Sequence, residues 1–200
     1  MEDPFIRQAR TAVSSYLGVP VPAVPVTVLD DSAFDRAYNT FDDRLFGGVG
    51  AITLPSREIV LPRRHRADLV HELVHVAFGH EVGVSEPVNE GVTQVAAEEI
   101  ARKMKVRVRK TYADEVRYIR TRVIPATGMG VQAFLKGYAR SPDKGEYLAE
   151  KIWRTQKRHF TDPDEWGAPD RARAVLQQDF RRGLGRYDPW TDYLHEVGAI

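Results

Sequence analysis

The sequence predicts an α+β fold: a small N-terminal β-sheet and one motif-bearing helix, followed by a mostly helical C-terminal sublobe. Short β-type runs separated by Pro and Gly occupy the first part of the chain. Longer segments with helical periodicity, divided by Pro125, Gly128, Pro142, Pro163, Pro169 and Gly183, fill the remainder. Between them lies His71-Glu72-Leu73-Val74-His75, on a stretch whose apolar residues recur at helical spacing. The 200 residues suit a single domain, with one sublobe over about 1–80 and the other over about 84–200.

Asp3-Pro4 opens a first helix, with Asp as N-cap and Pro in the first turn. Phe5, Ala9, Val13 and Tyr16 share its face, and Gly18 ends it. The proline-rich run 19–25 is extended, and Pro25 to Leu29 reads as a strand. Residues 31–46 read as a short helix or an irregular excursion, and Gly47, Gly48 and Gly50 mark a turn. Ala51–Leu54 and Glu58–Leu61 flank Pro55-Ser56-Arg57 and predict a hairpin. The basic cluster 62–66 leads into the motif helix, with Asp68 as N-cap and Gly79 as stop. Leu69, Leu73, Val76 and Ala77 give that helix an apolar side. A second helix spans about 87–104, and others about 113–124, 130–139, 143–158 and 170–182. The alternating basic run 105–110 reads as a solvated helix end or edge strand, not a nucleic-acid patch.

Residues four apart on a helix lie one above the other, so His71 and His75 present both imidazoles to one metal ion. Glu72 follows the first ligand, where its carboxylate reaches an activated water and not the metal. This H-E-x-x-H pattern suits zinc and points to metal-assisted hydrolysis, most often of a peptide bond. Two histidines hold zinc poorly, so a third ligand is needed. A helix returning antiparallel after Gly79 brings Glu90 opposite His75; Glu98 and Glu99 fall further along and read as helix surface. His80 and Glu81 are the rivals, close behind His75.

His71-Glu-Leu-Val-His75 followed by Asn89-Glu-Gly-Val-Thr93 resembles the gluzincin branch of the zincin metallopeptidases, in its compact, minigluzincin-like form. The resemblance covers about residues 50–140 and implies a zincin-like fold. It also implies one catalytic Zn2+, with His71, His75 and Glu90 as ligands and Glu72 as general base. The hairpin before the motif is similar to the sheet whose edge strand lines the substrate cleft in that family. One departure is Gln94, at a position where gluzincins commonly carry an Asp that bonds a ligand histidine. Its carbonyl still accepts a ring N–H but adds no negative charge. Asn89 and Thr93 are further outer ligand supports or N-terminal caps. For the oxyanion donor, Tyr112 is the first candidate, from its place after the ligand helix, with Tyr118, Tyr138, Tyr147, His159 and His195 as alternatives.

The expected function is a zinc-dependent endopeptidase acting on a protein or peptide substrate. A regulatory ImmA/IrrE-like protease cutting a single partner is the alternative within enzymes. Outside them stands a catalytically silent zinc-bound scaffold or binding module, in which Trp153, Trp166 and Trp190 form a recognition surface or anchor the helical half. The intact Glu72 argues against a silent site. A net charge of +1 supplies no global field for nucleic acid or membrane. The absence of cysteine excludes a thiol nucleophile and a Cys-based zinc site. Neither a signal peptide nor an apolar stretch long enough to span a bilayer is legible, so the expectation as encoded is a cytoplasmic protein.

Overall fold

The computed structural model describes residues 3–38, 51–54, 56–79, 83–160, 169–182 and Leu194. It is mixed α/β, mostly helical, with one three-stranded sheet. The chain divides into two compact units, Met1–Ala77 with Ala96–Lys110 and Phe78–Val95 with Thr111–Ile200. The chain passes between these units after residues 77, 95 and 110, so residues 96–110 group with the N-terminal part.

In the first unit, α1 (Pro4–Leu17) begins as expected: Asp3 accepts from the Phe5 N–H at 2.8 Å and Pro4 stands in the first turn. Gly18, at φ +68°, closes it by donating to the Ser14 carbonyl at 2.9 Å. The buried stripe is Ile6, Ala9, Val13, Tyr16 and Leu17. Phe5 falls at its rim, half-buried, with the Arg66 guanidinium 5.0 Å from its ring centre. Strands β1 (Val26–Leu29), β2 (Ile52–Thr53) and β3 (Ile59–Pro62) form the sheet in the order β1-β3-β2. Helix α2 (Asp31–Tyr38) follows β1, and residues 39–50 lie outside the described residues. β1 runs parallel to β3, pairing Val26 with Ile59 and Leu29 with Pro62. β2 runs antiparallel to β3 on its other side, pairing Ile52 with Val60 and Thr53 with Ile59, so the predicted hairpin forms and β2 is an edge strand. Leu54 donates to the Glu58 carbonyl at 2.8 Å, and Arg57 takes the left-handed conformation that such a tight loop demands. The central strand β3 is buried along its whole length.

A 3-10 turn (Arg63–Asp68) runs straight into α3 (Leu69–Phe78). Asp68 has helical geometry and so does not act as the expected N-cap. Its carboxylate, 8% exposed, instead accepts from the Arg109 N–H at 3.1 Å. That bond holds 106–110, which leaves α4 (Glu86–Met104) through a left-handed Lys105 and forms neither helix nor strand among the described residues. Lys105, Arg107 and Lys110 are exposed along it, while Val106 and Val108 are half-buried.

In the second unit, α5 (Ala113–Tyr118), a π-helical turn (Ile119–Val123) and α6 (Ile124–Ala126) replace the single helix expected over 113–124. Pro125 has no N–H, so an unbroken α-helical ladder cannot run through it, and the chain widens one turn earlier, with Ile124 N–H bonded to the Ile119 carbonyl. Helices α7 (Val131–Arg140), α8 (Lys144–Gln156) and α9 (Pro169–Arg182) match their expected positions. Phe134, Tyr138, Leu148, Ile152, Leu176 and Phe180 are core residues here. Trp153 is half-buried on α8; Trp166 and Trp190 lie outside the described residues.

Lys144 is an unusual core member, 2% exposed. Its ammonium donates to the carbonyls of Ala139 and Ser141 at the end of α7 and stands 5.5 Å from the Tyr138 ring centre. Burial pushes this amine down to about 8 from 10.5. The folded chain then sheds the proton before the unfolded chain does, so stability rises with pH from about 8 toward 10.5. Tyr138 and Tyr147, both raised by burial, keep their protons when folded, so their contribution is lost once pH passes the ordinary value of 10. Between pH 8 and 10 the urea midpoint of the wild type should therefore rise relative to that of Lys144→Met. Parallel midpoints across that window in chemical denaturation would contradict the desolvated ammonium.

Candidate metal centre

Helix α3 is enclosed on nearly every side. Leu69, Val70, Leu73, Val74 and Phe78 are buried, while Val76 and Ala77, expected on the apolar side, are only half-buried. Two polar residues of the motif are themselves interior, His71 at 9% and Glu72 at 8% exposed, and His75 is half-buried. Gly79, at φ +87°, ends the helix as expected. Helix α4 is enclosed too, with Val88, Val92, Val95, Ala96, Ala97 and Ile100 buried, and Thr93 and Gln94 buried with them. A helix buried all round carries polar groups only where something satisfies them.

The Nε2 atoms of His71 and His75 face each other at 3.0 Å. Their ring centres are 4.7 Å apart and the ring planes cross at 72°. His71, His75 and Glu90 form a group whose ligand atoms all lie within 4.8 Å of one another. Two nitrogens bound to one tetrahedral zinc at its usual bond lengths stand about 3.3 Å apart, close to the separation seen. Two nitrogens and one carboxylate oxygen are also the donor set that a catalytic zinc site uses, with a position left open. The residues therefore fit the ion. Glu98 and Glu99 stand outside this group; Glu99 pairs with Arg102 one turn on. The rivals His80 and Glu81 lie outside the described residues.

Glu72 has a partner that the sequence did not suggest. The Thr53 hydroxyl, on edge strand β2, donates to Glu72 Oε2 at 2.6 Å. Period-two alternation left both faces of the two-residue strand open, so nothing in the sequence distinguished Thr53 from Ile52. Near the start of α3, the His65 imidazole is pushed below its ordinary value by burial and then by the nearby Arg109, with Asp68 opposing.

Around Glu90, the residue after it is the packing contact. A Cβ on Gly91 would lie 2.9 Å from Glu115 Cβ and 3.1 Å from Ile119 Cγ1, so only glycine lets α5 and the π turn approach α4 this closely. Gln94, one turn on, accepts through Oε1 from the Thr111 hydroxyl at 3.1 Å. This bond ties the start of the 111–126 segment to the ligand helix, and Tyr112 follows it. Tyr112 is left-handed at φ +55° and 37% exposed. A non-glycine residue in that conformation is strained, and such strain collects at functional positions. Among the alternative donors, Tyr138 is wholly buried beside Phe78, Phe134 and Tyr147, and the half-buried Tyr147 donates to the Phe134 carbonyl at 3.2 Å. Tyr118 ends α5, His159 accepts from Arg158 Nε, and His195 lies outside the described residues.

No family model, curated protein or solved structure matches the chain. No helix among the described residues is long and apolar enough to cross a membrane.

Two results follow from this geometry. Wild-type protein should bind one zinc ion in a chelator competition, and His75→Ala should weaken binding beyond the roughly 10- to 100-fold that loss of an outer support costs. Equal affinity in the variant would exclude the His71, His75 and Glu90 set. Gly91→Ala should lower unfolding stability by about 1–3 kcal/mol through overpacking against Glu115 and Ile119, as read by urea titration.

Proposed function

We propose that the chain is a zinc-dependent metallopeptidase, with His71, His75 and Glu90 as the metal ligands and Glu72 as general base. The observation that carries the reading is the convergence of ligand atoms from these three residues within 4.8 Å. Glu72 follows His71 in sequence and is buried as His71 is, while His75 and Glu90 are half-buried. Zinc held there supplies Lewis-acid activation of a water and of a substrate carbonyl.

The chain's own residues then divide the work. Glu72 takes a proton from the attacking water and delivers it to the departing amine. Its burial keeps bulk water from competing for that proton. The imidazoles serve as neutral ligands through the facing Nε2 atoms, which leaves each Nδ1 as the N–H. The Gln94 carbonyl accepts from Thr111, and a carbonyl oxygen has capacity for two donors. Tyr112 is proposed as a donor to the oxyanion; it is 37% exposed and follows Thr111, whose hydroxyl bonds to Gln94 of α4. The substrate class is protein or peptide.

The deciding comparison is wild type against Glu72→Gln, each with zinc content verified, incubated with a denatured proteome whose new N-termini are sequenced. Glu72→Gln should retain the metal and lose about 10²- to 10⁴-fold in cleavage rate. Chelator-sensitive cuts made by the wild type alone support a peptidase and reveal its site preference. Undiminished cleavage by Glu72→Gln would sink the mechanism. A zinc-loaded wild type that cuts nothing would move the search to a single protein target or to a binding role.

A further inference from the structure

We infer that Thr53 is the positioning residue for Glu72: its hydroxyl holds one carboxylate oxygen and thereby aims the other for proton transfer. The inference rests on the peptidase reading and adds to it a residue that the H-E-x-x-H pattern does not contain.

The contact is 2.6 Å from Thr53 Oγ1 to Glu72 Oε2, within the range of a hydroxyl bonded to an ionised carboxylate. Glu72 is 8% exposed, so bulk water supplies little of the hydrogen bonding that a carboxylate needs. The hydroxyl satisfies Oε2 and leaves Oε1 for proton transfer. Glutamate has a long, freely rotating side chain, and a general base must hold its geometry to within about 0.5 Å. One hydrogen bond to a rigid donor fixes the plane of the carboxylate.

Thr53 is a rigid donor for two reasons. Its β-branched side chain has few rotamers on an extended backbone. That backbone is itself held: Thr53 pairs with Ile59 of β3, and β3 is flanked on its other side by β1. The sheet thus sets the position of a hydroxyl, the hydroxyl sets the carboxylate, and α3 sets the carboxylate relative to the imidazoles on the same helix.

Thr53→Val keeps the branched shape and removes the hydroxyl; Thr53→Ser keeps the hydroxyl and removes a methyl. With a fluorogenic peptide carrying the site preference found for the wild type, Thr53→Val should lose about ten- to a hundredfold in kcat with KM little changed. Thr53→Ser should recover most of that loss. Zinc affinity by chelator competition should be the same in all three proteins. A readout independent of turnover is the carboxyl carbon resonance of Glu72 in metal-free, isotopically labelled protein. It should move in Thr53→Val and stay in Thr53→Ser. If Thr53→Val does not fold, Thr53→Ala replaces it in both measurements. Wild-type kcat in a folded variant lacking the hydroxyl would overturn the positioning role while leaving the peptidase reading intact. A kcat loss accompanied by loss of zinc or an unmoved Glu72 resonance would overturn it too, by assigning Thr53 to the fold alone. A zinc-loaded wild type that cuts neither the denatured proteome nor any native protein target would remove the peptidase reading first, and the role of Thr53 with it.

Discussion

Polar groups on an enclosed helix need partners, and that constraint governs the centre of this protein. His71 and Glu72 are almost as buried as the leucines and valines around them. A buried carboxylate without a hydrogen bond would cost several kcal/mol or give up its charge. The Thr53 hydroxyl meets one oxygen of Glu72, and the Nε2 atoms of His71 and His75 converge at 3.0 Å, where a bound ion would take both lone pairs. Asp68, one turn before His71, is satisfied differently, by a backbone N–H from the segment that follows α4. Strand β2 thus supplies the partner of Glu72, and residues 106–110 supply that of Asp68 just before α3.

The second unit solves a related problem around Glu90. There the requirement is close approach. Gly91 lets α5 and the π turn lie against α4, and Gln94 anchors Thr111 at the start of that segment. Small and polar residues on a buried helix are poor for packing in isolation. Here the glycine removes the side chain that would hold the neighbouring helix off, and the glutamine marks where the neighbour is tied. The wide turn at Ile119–Val123 is part of the same arrangement, since its first residue packs on Gly91 and its register absorbs Pro125.

Much of this was legible in the sequence, and the parts that were not share a cause. Asp3, Pro4 and Gly18 bounded α1, and Pro55 to Arg57 announced the hairpin, because capping and turn chemistry are local. Asp68 carries the same chemistry as a cap, yet its partner is Arg109, forty-one residues on. Phe5 reads as core by spacing, while its neighbour Ile6 is the one buried, because a stripe's edge depends on what packs against it. Thr53 had no local mark at all; its meaning comes from which face of β2 meets α3. Pairing distant in sequence is invisible to periodicity, and it supplies what Glu72 needs.

The strength of the proposed site lies unevenly in its residues. Any two histidines four apart on a helix stand on one face, so the nearness of His71 and His75 follows from their spacing. That their Nε2 atoms converge at 3.0 Å is a stronger observation, because the same backbone permits rotamers that point the rings apart. Glu90 comes from another helix, and no rule of local geometry requires its carboxylate to arrive within 4.8 Å of both rings. That arrival is what makes the three residues a possible metal-holding group. The case for hydrolysis rests on a different group. A structural ion needs donors only, and neither a buried carboxylate beside the first histidine nor a hydroxyl fixing its orientation adds to the ion's coordination. The burial of Glu72 and its bond to Thr53 are the two observations on which the proposed proton-transfer role stands.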